Sequence, residues 1–386
     1  MRLLFLESFY GGSHRDVADA IAEHSRHEVD LRTLPARFWK WRMRGSALGF
    51  AREMTDPARY DLIVCTGLMS IADFLALARP GALRTGSSPR ALPPVLLYAH
   101  ETQIVYPAPS AREADLHFAF TDLTNMLAAD HVAFNSRTHR DAFLAALPGF
   151  LRRLPEHRPM WAVDEVTAKS SVCHPGVRWH AGGGEREPGA TNGPRGTSAP
   201  PAAPPLVLWN HRWEFDKNPH AFFAALDEIE RRGIAFRLAL LGENFQVVPK
   251  PFLEARERFA EEIVHYGYAA DRDEYERWLA AADVVVSTSI QENFGISVIE
   301  AIAHGARPLL PRRLSYPEII PDEFHDALYD SPEELVTKLA AALETPSPPP
   351  DALVEHARSF SWELRIEWFD ALFERVARGA DGEAGG

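Results

Sequence analysis

The sequence predicts two doubly wound α/β domains with parallel sheets, and three observations carry that expectation. Short apolar, β-branched runs alternate with helical patterns through both halves, as in a parallel sheet covered by helices. At 386 residues the chain is long enough for two such domains, each with its own core. Between the halves runs Gly182–Pro205, rich in Gly, Pro, Ala and Ser and without periodicity. Such a stretch buries too little apolar surface to order itself, so it is expected to be a flexible insert or linker.

In the first half, Arg2–Glu7 reads as the opening strand, followed by a Gly-Gly turn and a helix over Arg15–His24. Asp61–Thr66, Pro94–Tyr98 and Asp130–Asn135 read as further buried strands, and Thr138–Ala146 as a helix. The pattern restarts with a strand at Leu206–Trp209, a helix at Pro219–Arg231 and a strand at Phe236–Leu241. Phe252–Phe259 follows as a helix, Ile263–Tyr266 as a strand and Asp273–Ala281 as a helix. Ala281–Ser289 is expected to be a buried strand ending in small polar residues, Val298–Ala303 a helix stopped by Gly305 and Pro308, and Leu309–Leu310 a short strand. Trp362–Arg378 is the last helix. The expected layout is 1–178 for the first domain, 179–205 for the linker, 206–358 for the second, 359–378 for a terminal helix and 379–386 for a disordered tail. Ligands of such folds are expected at the carboxyl ends of the strands.

Composition narrows the class. Hydrophobic residues at 46% and charged residues at 25% are those of a soluble globular protein. No apolar run approaches the ~20 residues of a membrane span, so no membrane partner is expected. The start, MRLLFLESFYGG, is too short and too soon charged for a signal peptide. With only Cys65 and Cys173 there is no disulfide framework and no cysteine zinc site, which points to a reducing, cytoplasmic compartment. A net charge of −13 argues on its face against a nucleic-acid partner. Yet Leu31–Arg52 holds no acid and six bases, with Phe38, Trp39 and Trp41 set among Arg37, Lys40, Arg42 and Arg44. A local basic surface is therefore open, as is the plainer reading of core tryptophans beside a solvated face.

The most informative stretch is QENFGISVIEAIAHGARP, Gln291–Pro308. A strand, a polar loop and a helix start make an anion site, because a helix N-terminus offers N–H groups and partial positive charge to a diphosphate. Asn293, Phe294 and Gly295 form that loop; Glu292 precedes it, and Glu300 lies one to two helical turns in, where it can accept from sugar hydroxyls. In WNHRWEFDKNP, Arg212 and Lys217 lie five apart in another strand-to-helix loop and suit two phosphates. An Arg212–Glu214 pair on a solvated loop is the plainer alternative there. In the first half, Gly11 and Gly12 of FYGGSH let a backbone approach an anionic ligand, although their spacing is not that of a dinucleotide site. His100 and Glu101 fall at a strand end, where a histidine either meets a sugar hydroxyl or a reacting oxygen or is a satisfied structural residue. Asn135 and Ser136 hold a like position, with helix capping as their alternative. Asp-x-Asp, P-loop and Gly-x-Ser-x-Gly patterns are missing from the strand-end loops, so a transferase needing no metal and no cofactor is expected.

Arg-x4-Lys followed by Glu-x7-Glu resembles the retaining glycosyltransferases of the GT-B fold, built of two facing Rossmann-like domains. That resemblance implies that Arg212 and Lys217 hold the donor diphosphate, Glu300 binds the ribose, Glu292 lies near the transferred sugar and His100 touches it. Asn293 stands where the group has a glycine, so the loop backbone is expected to differ. A closer resemblance spans nearly the whole chain outside the insert. FYGGSH, LPARFWKWR, YAHETQIVYP, FNS, WNHRWEFDKNP and RLSYPEIIP are similar to the tRNA-queuosine α-mannosyltransferase family. It implies mannose transfer from GDP-mannose, with retention, to the cyclopentenediol of queuosine at the tRNA wobble position. It also implies tRNA contacts from Arg37, Lys40, Arg42 and Arg44, with Trp39 or Trp41 stacked on a base. The alternatives are a lipid, glycan or small-molecule acceptor, or a non-catalytic tRNA- or nucleotide-binding module.

Overall fold

A computed structural model describes residues 1–54, 56–84, 92–107, 116–179, 203–242 and 248–379. The expected insert, apart from 203–205, and the expected tail, apart from 379, lie outside the described residues. The chain divides into two compact units, one of Met1–Gly176 with Trp362–Gly386 and one of Val177–Ser361.

The first unit runs β1 (Arg2–Tyr10), α1 (Gly12–His24), β2 (Glu28–Pro35), α2 (Trp39–Glu53), β3 (Leu62–Thr66) and α3 (Ile71–Arg84). It continues with β4 (Val95–Ala99), α4 (Leu116–Ala128), β5 (His131–Phe134), α5 (Arg137–Arg152), α6 (Ala162–Ala168) and β6 (Ser170–Val172). Its strands are all parallel, in the order β2-β1-β3-β4-β5-β6. Strands β3 and β4 are buried throughout, which explains their unbroken apolar sequences LIVCT and VLLYA.

The second unit runs β7 (Leu206–Trp209), α7 (Pro219–Arg231), β8 (Arg237–Leu241), α8 (Lys250–Arg258), β9 (Ile263–Gly267) and α9 (Arg272–Ala281). Next come β10 (Val284–Val286), α10 (Ile296–Ala303), β11 (Arg307–Pro311), α11 (Tyr316–Ile319), β12 (Leu328–Tyr329), α12 (Pro332–Glu344) and α13 (Asp351–Arg358). The parallel sheet is ordered β12-β11-β10-β7-β8-β9. Strand order reverses at β7 and β10, so the loops leaving these two neighbours open a crevice at the topological switch point. The corresponding switch in the first unit lies between β1 and β3.

The last helix, α14 (Trp362–Arg378), packs in the first unit. Trp362, Ile366, Phe369 and Phe373 join the face of the sheet that carries Leu3, Phe5 and Tyr98. Gly176 makes room for it: a Cβ there would fall 2.4 Å from the Trp362 ring. The expected strand Ala281–Ser289 is shorter than its apolar run, covering only Val284–Val286. Hydroxyls take over beyond that point, with Tyr329 Oη donating to Ser287 O at 2.7 Å and Ser287 Oγ bonded to Ser289 Oγ at 3.1 Å.

Candidate functional site

Two sequence-distant loops meet at the switch point of the second unit. The loop after β7 ends in a short 3-10 turn, Phe215–Lys217, and the loop after β10 runs from Ser287 to Gly295. They are stitched by backbone, since Ile290 N–H donates to Asp216 O at 2.8 Å, and by Thr288 Oγ1 donating to Lys217 O at 2.9 Å. Lys217 is the hub. Its buried ammonium donates to Gln291 O at 2.8 Å and Glu292 Oε2 at 3.2 Å, and lies 3.3 Å from Asp216 Oδ2. Burial pushes its pKa down, but Glu292 and Asp216 outweigh that and hold it above the ordinary lysine value. Burial likewise pushes Glu292 up, while the Lys217 ammonium holds its carboxyl below the usual range. Both groups are thus charged at neutral pH, a carboxylate on an ammonium beside the start of α10, with Asp216 on the other side of the ammonium. An anion arriving there competes with Glu292 and Asp216 for the Lys217 protons.

Arg212 is exposed and bonds Glu214 at 3.1 Å, the pairing that an ordinary solvated loop also makes. Helix α10 opens at Gly295, whose φ of 99° is left-handed, and the loop's special backbone falls there and not on Asn293. Asn293 Oδ1 accepts from Gln291 Nε2 at 2.9 Å. The Phe294 ring is buried with Val298, Ile302 and Tyr316 and lies 5.5 Å from Phe360, so it anchors the loop and does not line its polar face. Glu300 is buried. Its Oε1 accepts from Arg272 at 2.8 Å and its Oε2 from Tyr275 Oη at 3.0 Å. A carboxylate has about four lone-pair sites, so these bonds leave capacity for hydroxyl donors.

Residues not singled out in the sequence complete this half. Asp216 is fully buried against Lys217, and Arg272 bridges Glu276 at 2.7 Å to Glu300. Arg313 donates to Ser289 O at 3.1 Å and fixes the end of the β10 loop. His211, pushed down to about 4 by burial and the nearby Lys217, is a neutral partner of Ser297 Oγ at 3.3 Å. Asp216 stood in the sequence next to Lys217; the roles of Arg272 and Arg313 depend on packing that no local pattern announces.

In the first unit His100 is buried at the end of β4, and burial with the neighbouring His14 and His139 keeps its ring neutral. Its ring stacks on His14, centroids 4.1 Å apart and planes 29° apart. Asn135 Nδ2 donates to His100 O at 2.9 Å and its Oδ1 contacts His139 at 2.8 Å, while Ser136 caps α5 by accepting from His139 N–H at 3.0 Å. Asn135 and Ser136 therefore brace the loop. Gly11 is required by packing, because a Cβ would lie 2.4 Å from Ala36 Cβ; Gly12 holds a left-handed φ of 52° at the start of α1. Glu7, His14 and His100 are the one set of potential metal ligands found among the described residues, their donor atoms within 4.8 Å of one another.

The basic segment forms α2 and its approach. Trp39 is partly buried, 5.2 Å from Phe118 in a small cluster with Met43 and Leu68. Trp41 is 62% exposed and lies along Gly45 one turn on. Arg37, Lys40 and Arg44 are exposed; Arg42 donates to Pro35 O at 3.2 Å. Of the two tryptophans, Trp41 is the more exposed.

Comparisons with known proteins agree with this architecture. Residues 2–177 match the model of the tRNA-queuosine alpha-mannosyltransferase N-terminal family, and residues 195–360 that of glycosyl transferases group 1. Sucrose-phosphate synthase from Thermosynechococcus elongatus superposes with a TM-score of 0.65 at 15% identity, over 97% of this chain and 99% of that one. Anabaena HepE in complex with UDP does so with a TM-score of 0.55 at 14% identity, over 98% and 97%. At such identities the likeness establishes the α/β two-domain GT-B fold. A tRNA-queuosine alpha-mannosyltransferase from Drosophila melanogaster is 31% identical over 340 residues, 87% of this chain and 85% of that protein. The chain is a glycosyltransferase, and it belongs to the tRNA-queuosine α-mannosyltransferase family.

Proposed function

We propose that the protein transfers mannose from GDP-mannose, with retention, to the cyclopentenediol of queuosine at the wobble position of a tRNA in the cytoplasm. The observation that carries the donor site is the Lys217 hub, which joins the two switch-point loops beside the start of α10. In this reading Lys217 and Arg212 turn to the diphosphate and Glu300 takes the ribose, with Glu292 near the sugar. The diphosphate charge is met by these cations and the helix start in place of a divalent ion. The acceptor hydroxyl attacks the anomeric carbon on the face the diphosphate leaves. Its oxygen bonds to that carbon as the carbon–phosphate oxygen bond breaks, and its proton passes to the departing phosphate oxygen. The match of the N-terminal family model supports the acceptor, with Trp41 as a stacking platform and Arg37, Lys40 and Arg44 against phosphates.

The test is to incubate the protein with radiolabelled GDP-mannose and tRNA with or without queuosine, and with UDP-sugars as competing donors. Label confined to queuosine tRNA is expected. Label in neither tRNA sinks the acceptor, and transfer from a UDP-sugar instead, the nucleotide held by HepE, would change the donor.

A further inference from the structure

Asp216 and Glu292 both face the Lys217 ammonium, and the fold holds them differently. Asp216 is fully buried, in the 3-10 turn that carries Lys217 itself. Its carbonyl accepts from the N–H groups of Ile290 at 2.8 Å and Gln291 at 3.3 Å, which pins the turn to the loop after β10. Neither of its carboxyl oxygens has a hydrogen-bond partner among the described residues, so the ammonium 3.3 Å from Oδ2 is what offsets the cost of burying it. Glu292 is the looser partner. Its side chain is 17% exposed, it lies on the loop that leads to α10, and it holds Lys217 by a hydrogen bond of 3.2 Å.

Lys217 already has three oxygens within 3.3 Å, those of Gln291 O, Glu292 Oε2 and Asp216 Oδ2. An ammonium has three N–H donors, so a diphosphate oxygen gains a place there by displacing a partner. The partner with access to water leaves at the lower cost, because a buried carboxyl that loses its cation keeps its whole desolvation penalty. Burial pushes the Lys217 pKa down, Glu292 and then Asp216 push it up, and Arg212 pushes it down. His211 lies beside the ammonium as well, held neutral by burial and by Lys217.

We propose that Asp216 is a positioning residue for sugar transfer: it is the permanent partner of Lys217 and holds the ammonium at the switch point while Glu292 yields its place to the donor diphosphate. This rests on the donor site proposed above, which gives Asp216 no role.

Asp216→Asn and Glu292→Gln separate the two partners by their pH profiles, because kcat/KM reports ionisations of the free enzyme and kcat those of the substrate complex. In the free enzyme both carboxyls raise the Lys217 pKa, so both variants are expected to bring the alkaline fall of kcat/KM to lower pH. In the complex, of the two carboxyls only Asp216 still faces Lys217. Asp216→Asn alone is therefore expected to bring the alkaline fall of kcat to lower pH, with the plateau reduced on the order of tenfold or more as the ammonium loses its place. A kcat profile of Asp216→Asn that falls where the wild type's does overturns the proposal, even with a lowered unfolding midpoint, since that is the mark of packing alone. So does a kcat profile that Glu292→Gln shifts equally. A crystal structure of the wild type with GDP decides the point without a variant. Phosphate oxygens on Lys217, Asp216 still at its 3.3 Å and Glu292 withdrawn are expected. Glu292 still on Lys217, with or without Asp216, overturns this proposal alone, whereas phosphates that bypass Lys217 overturn the donor site with it. If UDP binds in place of GDP, the choice of base falls, and the structure with UDP decides the role of Asp216.

Discussion

Replacing Lys217 with alanine removes the one ammonium that two carboxylates share. Asp216 is then fully buried with its cation gone, and Glu292, 17% exposed at its side chain, loses its partner at 3.2 Å. Breaking a buried pair by deleting one member costs about 3–5 kcal/mol, against the roughly 5–15 kcal/mol that holds a domain together, so the variant is expected to fold with a smaller margin. The deficit has a pH signature. Without Lys217 the burial that pushes Glu292 up is no longer outweighed, so its folded pKa lies above its unfolded one and acidification through that window restores stability by protonating it. In the wild type Glu292 sits below its ordinary value, and its contribution is instead lost as pH falls through its folded pKa. Urea unfolding midpoints of the second unit, taken at pH 7 and pH 5, should therefore draw together for the two proteins at the lower pH. Turnover of GDP-mannose should fall by about 100-fold or more, the usual effect of removing one group that stabilises charge developing on a leaving group. Near-normal turnover, or a stability gap equal at both pH values, would refute the assignment of Lys217 as a buried diphosphate cation.

Three further outcomes are expected. Trp41→Ala should leave stability within about 0.5 kcal/mol and weaken tRNA binding by ~1–3 kcal/mol, whereas Trp39→Ala, which opens the cluster with Phe118, should lower the unfolding midpoint; filter binding and thermal unfolding separate the two. Arg272→Ala should raise KM for the nucleotide sugar and destabilise by about 3 kcal/mol, because Glu276 and Glu300 stay buried without their cation; an unchanged KM counts against Glu300 as a ribose ligand. His139 is pushed down to about 3 by burial, so its folded pKa lies below its unfolded one. It contributes stability that is complete above pH ~6.5 and is lost on acidification at up to about 1.4 kcal/mol per pH unit; His139→Gln should flatten that part of the unfolding curve measured by circular dichroism.

Much of the fold was legible because strand burial writes itself into sequence. Leu206–Trp209, Pro219–Arg231 and Trp362–Arg378 lie where their apolar patterns and end signals place them. Edge and polar elements were not: β2, with its half-exposed pattern, is a strand because β1 pairs with it, and α2 was visible only as a run of bases and tryptophans. Helix α12 did carry a readable signal, Ser331 as N-cap ahead of Pro332 and two glutamates.

The chain by itself determined the alternation of elements, the Arg-x4-Lys and Glu-x7-Glu spacings and the basic-aromatic run, because these depend on local chemistry and period. Only the tertiary structure decided that Lys217 sits between Asp216 and Glu292, that Glu300 is held by Arg272 and Tyr275, and that Trp41 is more exposed than Trp39. It alone set Glu7 and His14 against His100. The physical reason is one of register. Parallel strands far apart in sequence end at the same edge of a sheet, and which loops become neighbours there is fixed by strand order, which no single segment encodes.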